Sequence, residues 1–210
     1  MAIVVHHLEE SRSQRVLWLL EELGLVYEVK RYDRNPQTRL APPELKAIHP
    51  LGKSPVLERD GKVYAESGAI IEFLAETERG GELSIRMGDS KRAEYLYWLH
   101  FAESSAMLPL LLKLYVGLLG EAGAPLMQMR VEPEIDNHLS HANDALGDAT
   151  FFVDDRFTAA DIQMGFVLDV ANSRGGLERY PNLVRARDAH RARPAYKRAL
   201  EKGGPYRLGQ

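Results

Sequence analysis

Residues Leu51–Leu74, LGKSPVLERDGKVYAESGAIIEFL, constrain the fold more tightly than any other stretch of this chain. Asp60-Gly61 lies between two short β-prone runs, Val56-Leu57 and Val63-Tyr64. The tight turn that joins adjacent antiparallel strands needs positive φ, and Asp-Gly supplies it. A hairpin is therefore expected, with its second strand over Lys62–Ala65. Pro55 stands at the start of the first strand, where it removes a backbone donor and restricts Ser54 to an extended conformation. Directly after the hairpin, Glu66-Ser67 precede Ala69, Ile70, Ile71, Phe73 and Leu74, which recur at helical spacing. The hairpin thus runs straight into a helix whose N-terminus lies at or near Glu66-Ser67, and Ser67 is a good capping type.

This geometry permits a recognition site. A cis Ser54–Pro55 bond, a form taken by about 5–6% of X–Pro bonds in folded proteins, would bend the chain and turn the N–H and C=O of Ser54 outward. An outward backbone pair can bind an extended peptide as an added strand. The free N–H groups of the following helix favour a carboxylate, and Glu66 can accept from an ammonium group. Together these groups would read an α-amino acid end. The plainer alternative is that Ser67 only caps and Glu66 only complements the helix dipole.

The rest of the chain bounds its class. Its 210 residues fit one large domain or two small ones, and 45% apolar content supports a sizeable core. A formal net charge of −3 argues against general nucleic-acid binding. Arg12, Arg15 and Glu21-Glu22 interrupt the early apolar positions, so no signal peptide is read. Met107–Leu119 is the most apolar stretch but contains Pro109 and Lys113, so no membrane span is expected. A soluble, cytoplasmic protein follows. Cysteine is absent, which excludes disulfides, thiolate metal sites and a cysteine nucleophile.

Strand and helix patterns divide the chain. Ile3–His6 reads as a strand, Ser11–Gly24 as a helix stopped by glycine, and Val26–Tyr32 as a second strand. A proline-rich loop over Asn35–Pro43 leads to a short helix at Glu44–Ile48. The order β-α-β-α-β-β-α implies a parallel first pair and an antiparallel edge. Beyond the turn-rich Arg79–Asp89 only helical patterns remain. Arg92–Leu119 is expected to be one long helix bent near Pro109, followed by a helix over Pro133–Leu146, with a start near Leu126 as the alternative. Thr158 and Asp161 have capping-box spacing, and Phe157 and Ile162 that of a hydrophobic staple. Two shorter helices are expected around Asn182–Ala192 and Ala195–Lys202. The expected organisation is an α/β domain over 1–79, a linker over 80–89 and an all-helical domain over 90–210.

Four features in this order resemble the soluble glutathione transferase family over the whole chain: Leu8–Arg15 (LEESRSQR), Gly52-Lys53-Ser54-Pro55, Glu66-Ser67-Gly68-Ala69-Ile70, and the Phe157–Ile162 capping box. The wording HLEESRSQRVLWLLEELG resembles a serine-type group found in bacteria and fungi. The resemblance implies a thioredoxin-like N-terminal domain with a cis Pro55 and a C-terminal helical bundle. It also implies conjugation of the glutathione thiolate to small hydrophobic electrophiles, a detoxifying activity. By the same similarity, Ser54 would pair its backbone with the cysteinyl part of glutathione. Glu66 and Ser67 would hold the γ-glutamyl end, and Lys53 would lie near the glycine carboxylate with Arg39 as a helper. Lys53 and Arg39 read equally as solvated loop charges. Glu103 would reach across a homodimer interface toward the glutathione amine. Glutathione is then a co-substrate, and no cofactor or metal is implied.

The chemistry needs a thiolate, whereas a free thiol with a pKa near 8.5 is only a few per cent ionised at neutral pH. A hydroxyl aimed at sulfur beside a helix N-terminus favours the thiolate. The family places Tyr, Ser or Cys after the first strand. Here cysteine is absent and no tyrosine precedes Tyr27, which leaves Ser11, four residues before Arg15, or Ser13, with backbone amides or Arg12 as a further alternative. Either serine can also serve simply as a helix cap. Tyr97, Phe101, Met107 and Tyr115 are candidates to line an electrophile pocket, against the alternative that each is core. Glutathione-dependent peroxide reduction, or glutathione binding without turnover, are the competing activities. His138 and His141 sit three apart with Asp144 a further turn along, but neither a third open-site ligand nor a second shell is evident, so no metal site is read. His6-His7 reads as structural, and Arg185–Arg198 as a solvated helix face.

Overall fold

The computed structural model describes residues 2–174, 176–204 and 206–208. Strands β1 (Ile3–Leu8), β2 (Glu28–Tyr32), β3 (Val56–Arg59) and β4 (Lys62–Ala65) alternate with helices α1 (Ser13–Glu22), α2 (Glu44–Ile48) and α3 (Ser67–Thr77) in the expected order. They form a four-stranded sheet in the order β2-β1-β3-β4. β1 pairs parallel with β2, and β1–β3 and β3–β4 are antiparallel. Asp60 (φ 52°) and Gly61 (φ 75°) make the hairpin turn, both with the positive φ that a two-residue primed turn requires. The second strand starts later than its alternation suggested. Val26 is 91% exposed and lies outside β2.

Apolar periodicity explains α1. Val16, Leu17, Leu19 and Leu20 are all fully buried, and Trp18 nearly so. Gly24 (φ 59°) then ends the helix, with the Leu25 amide donating back to the Leu20 carbonyl at 3.0 Å.

The chain forms two compact units, and their boundaries differ from the expected 1–79 and 90–210. The first runs through Arg86 and also takes in Arg191–Leu208, while the second is Met87–His190. The physical reason is the last helix, α10 (Pro194–Gly203), which packs on α1. Tyr196 meets Trp18 edge-on at 5.0 Å. Arg193 forks onto both Glu22 oxygens at 2.6 and 2.8 Å, and Arg198 donates to Glu21 at 2.7 Å. The α10 end comes so close that a Cβ at Gly203 would lie 2.9 Å from Gln14 Oε1 and 3.3 Å from His7 Nε2.

The second unit holds α4 (Arg92–Phe101), α5 (Met107–Gly117), α6 (Ala124–Leu126), α7 (Glu132–Leu146), α8 (Ala159–Ser173) and most of α9 (Pro181–Ala192). The expected long helix is continuous in winding but not in pitch: Ala102–Ala106 form a wide π-turn between α4 and α5. Pro109 explains it, since proline cannot donate to the carbonyl four residues earlier and its ring crowds that carbonyl. The same relation recurs at Pro133, whose i−4 residue lies inside the π-turn Met127–Val131. α8 is buried from Ala159 to Ala171 and forms the centre of this unit. Its capping box is present: the Thr158 amide donates to Asp161 Oδ2 at 2.8 Å, and Thr158 Oγ1 accepts from the Ala160 amide at 3.3 Å. Phe157 packs edge-on against Phe151, with ring centres 5.5 Å apart.

The arginine-rich stretch is a correction to the sequence reading. Besides Arg193 and Arg198, Arg187 pairs with the buried Asp169 at 3.1 Å and Arg185 donates to the Gly147 and Ala149 carbonyls. These side chains fasten loops and helices, although Arg198 does so while 49% exposed. Among the described residues no helix is long and apolar enough to cross a membrane.

Candidate active site

Sheet register gathers the site at one end of the first unit. Val56 lies opposite both His6 and Ala65. One step beyond, Pro55 therefore falls between His7 and Glu66, and Ser54 falls beside Leu8 and Ser67. The Ser54–Pro55 bond is cis. Ser54 Oγ donates to the His6 carbonyl at 2.8 Å and accepts from the Leu8 amide at 3.1 Å, which pins the loop to β1. Among the described residues the Ser54 backbone N–H and C=O have no partner, so they remain available to an extended peptide.

Glu66, not Ser67, occupies the cap position of α3, with φ 68° and ψ 113°. Positive φ is costly for a residue with a Cβ and persists only where the surroundings impose it. Glu66 is exposed, whereas Ser67 is buried as the first helical residue. No side chain caps this helix, so the expectation that Ser67 caps is corrected. The first amide to enter the ladder is that of Ile70, bonded to the Glu66 carbonyl at 3.0 Å. The preceding amides and the dipole are left facing the same sheet end, where an anion is favoured. The buried Arg15 of α1 reaches to 3.5 Å from Ser67 Oγ.

The loop after β1 carries the two serines. Ser11 Oγ and Ser13 Oγ are 2.8 Å apart, and the Ser13 amide donates to Ser11 Oγ at 3.3 Å. Ser11 keeps 7% of its surface exposed and Ser13 none. Ser13 Oγ is also 2.8 Å from His7 Nδ1 and 3.3 Å from the Leu8 carbonyl. Ser13 is thus enclosed by these neighbours. Burial, then the Arg31 charge, lower the His7 pKa to about 4, with the Gly203 backbone bond acting the other way. His6 ties the strands together through Glu58 at 2.6 Å and Tyr32 at 2.8 Å, the structural role expected of it.

Sequence reasoning missed the residues that shape this loop. Arg34 donates to the Glu9, Glu10 and Arg39 carbonyls at 3.1, 3.2 and 2.9 Å, stapling the Ser11 loop to the loop after β2. Arg39 is exposed and its guanidinium is engaged by Glu9 at 3.3 Å and Glu10 at 2.9 Å. Lys53 is exposed and has no partner among the described residues. No local signal distinguishes Arg34 from its neighbours; the informative fact is three carbonyls that converge only in the fold.

The helical-unit candidates separate by burial. Phe101 packs among Tyr97, Trp98, His138 and His141, with ring centres 5.3 to 5.9 Å away, and Met107 is 2% exposed, so both are interior side chains. Tyr97 and Tyr115 are 46% and 57% exposed. The Tyr97 hydroxyl meets His141 Nε2 at 2.7 Å, and His138 Nδ1 donates to the Glu134 carbonyl. Among the described residues no three His, Cys, Asp or Glu side chains group as metal ligands. Glu103 sits in the π-turn, partly exposed.

A cis-proline loop, an uncapped helix N-terminus and a buried serine pair at one sheet end, followed by a helical unit, define a two-unit protein of the thioredoxin-like class. Family models described as the N-terminal and C-terminal domains of glutathione S-transferase match residues 11–77 and 109–194. Glutathione S-transferase 3 of Schizosaccharomyces pombe is 35% identical over 95% of this chain and 87% of its own length. Glutathione S-transferase 1 of Saccharomyces cerevisiae is 30% identical over 95% and 94%. A crystal structure of a glutathione S-transferase from Actinobacillus pleuropneumoniae, 34% identical, superposes with a TM-score of 0.86 over 99% of this chain and 96% of that one. The chain belongs to the glutathione S-transferase family, and its activity is that of a glutathione transferase.

Proposed function

We propose that this transferase activates glutathione through Ser11 and conjugates it to small hydrophobic electrophiles, with no cofactor beyond its co-substrate. The observation that carries this reading is the convergence at one sheet end of the Ser54 backbone, the free α3 amides and Ser11. Ser54 pairs with the cysteinyl backbone of the tripeptide. The amides beyond Glu66, with Ser67, receive the γ-glutamyl carboxylate, and the exposed Glu66 carboxylate accepts from its amine. Lys53, without a partner among the described residues, receives the glycine carboxylate. Arg39 is withdrawn from that role, since Glu9 and Glu10 already hold it.

Ser11 remains the hydroxyl able to reach sulfur, because Ser13 is enclosed. It stabilises the thiolate by donating a hydrogen bond and need not ionise. Lowering a thiol pKa by ~2 units corresponds to roughly 2.7 kcal/mol. Tyr97 and Tyr115, exposed on the helical unit, are the aromatic surfaces offered to an electrophile. The exposed apolar side chains of α5 and its end, Leu108, Leu112, Leu114 and Leu118, support a homodimer in which Glu103 serves a second copy. A cytoplasmic location fits a reduced thiol co-substrate.

The test is titration of the bound glutathione thiol by thiolate absorbance. Ser11→Ala should raise that pKa by about one unit and slow conjugation of an aryl halide, with little change in glutathione affinity. An unchanged titration removes Ser11 from the role.

A further inference from the structure

Glu10 is the joint between sheet and helix in the Ser11 loop. On one side, the Glu9 amide still bonds the Tyr32 carbonyl at 3.0 Å, continuing the β1–β2 pairing one residue past Leu8. On the other, the Ser11 carbonyl already accepts from the Gln14 amide of α1 at 3.2 Å. Ser11 stands one residue beyond the joint, so the Glu10 torsions set where its hydroxyl lies relative to the sheet end. Glu10 has φ 48°, in the left-handed region. Glutamate has no preference for that region, which glycine, asparagine and aspartate enter more readily. The conformation is therefore imposed by the surroundings.

The groups that impose it are Arg34 and Arg39, both from the loop after β2. Arg34 donates from Nε to the Glu9 carbonyl at 3.1 Å and from Nη2 to the Glu10 carbonyl at 3.2 Å. Successive carbonyls of an extended chain point to opposite sides, so one guanidinium takes both only where Glu10 is turned. Arg39 holds the side chain, its Nη2 donating to Glu10 Oε2 at 2.9 Å. Arg39 is itself left-handed, with φ 57°, and its carbonyl accepts from Arg34 Nη1 at 2.9 Å. Two left-handed residues on facing loops thus share one guanidinium and one ion pair. We infer that Glu10 is a positioning residue, its left-handed backbone, fixed by Arg34 and Arg39, holding Ser11 where it meets the glutathione sulfur. If Glu10 relaxed to an ordinary φ near −60°, the chain beyond it would swing by about 110° around the N–Cα bond. The Ser11 Cα, about 3.8 Å from that of Glu10, would move by several ångströms, and a hydrogen bond to sulfur does not survive such a shift. Arg39, withdrawn from the glycine carboxylate by its ion pairs, serves the reaction through Glu10 instead.

The inference rests on Ser11 as the sulfur donor, and two measurements separate them. Backbone NMR shifts and couplings of the full-length protein without ligand report the Glu10 torsion. They should show Glu10 left-handed in wild type and released from that region when Arg34→Met and Arg39→Met are combined. A wild-type Glu10 outside the left-handed region, or one that stays there without both arginines, overturns the inference whatever Ser11 does. The thiol of bound glutathione is then titrated in Glu10→Gly, Glu10→Ala and Glu10→Val, each with Ser11 present and with Ser11→Ala. All three lack the carboxylate, and their tolerance of positive φ falls from glycine through alanine to valine. The thiol pKa should rise in that order, with Glu10→Val about one unit above Glu10→Gly, the worth of one hydrogen bond to a charged group. The kcat should fall in the same order, while KM for glutathione stays within about twofold. The order should vanish in the Ser11→Ala background, where there is no hydroxyl to displace. Equal thiol pKa values in the three variants, or an order that persists without Ser11, overturn the inference. Glu10→Gly against Glu10→Ala keeps the test open if Glu10→Val folds poorly. If Ser11→Ala alone leaves the titration unchanged, the reading of Ser11 fails and takes this inference with it.

Discussion

Acidification probes the burial of His7 directly. In the native protein, burial and then Arg31 lower the ring pKa to about 4 from an ordinary 6.5. In the unfolded chain the ring takes up a proton near the ordinary value. Between these values the unfolded state carries a proton that the native state refuses, so stability rises with pH across the window. It is lost as pH falls from about 6.5 to about 4, and below that both states are protonated and the loss stops. The difference between 6.5 and about 4, at about 1.36 kcal/mol per unit, amounts to about 3 kcal/mol. That is a large fraction of the ~5–15 kcal/mol that holds a typical domain folded. His7→Asn provides the comparison, because asparagine does not titrate while every other group titrates in both proteins. Urea unfolding at about pH 7 and about pH 4 gives the two stabilities for each. Wild type should lose about 3 kcal/mol more than His7→Asn over this interval. Parallel losses, within about 1 kcal/mol of each other, would refute the claim that the native ring resists protonation.

Asp161 is fully buried and accepts from the Phe152 amide and from the Thr158 amide and hydroxyl, at 3.0, 2.8 and 3.2 Å. Asp161→Ala orphans these donors and should cost about 3–5 kcal/mol in denaturant unfolding; a loss under about 1 kcal/mol would show that the capping box is dispensable. Arg34→Met removes the staple on the Ser11 loop, so kcat should fall about tenfold or more at saturating glutathione while the unfolding midpoint changes little. An unchanged kcat would mean that the loop holds its shape unaided. Lys53→Ala should weaken glutathione binding by no more than about fivefold in calorimetry, since an exposed ion pair is worth under about 1 kcal/mol. Unchanged affinity would return Lys53 to the solvated loop.

What the sequence disclosed followed the range of the interaction responsible. The Asp60-Gly61 turn, the stop at Gly24 and the Thr158–Asp161 box are written in adjacent residues, because backbone torsion and capping act over a few positions. All three occur as expected. The hairpin in turn placed Pro55 beside Glu66, so the position of the Ser54–Pro55 loop next to the start of α3 was legible once the strands were. Ser67 was misread as a cap because a capping type beside a helix start is weak evidence, whereas the positive φ at Glu66 is imposed by packing. The arginines of Arg185–Arg198 were misread because charge does not say which carboxylate or carbonyl will meet it. The place of the last helix was hidden for a related reason. Composition marks α10 as one more helix of the second unit, and only its contact with α1 shows that it completes the first. Thiol activation was the least legible step because it is the most distributed. Ser11 is named by local pattern, but its surroundings are not: Ser13, 2.8 Å from it, is in turn 2.8 Å from His7, whose ring lies beside Gly203 of α10. A side chain at Gly203 should therefore press on Gln14, Leu17 and His7 beneath the Ser11 loop without touching any residue proposed to bind the peptide.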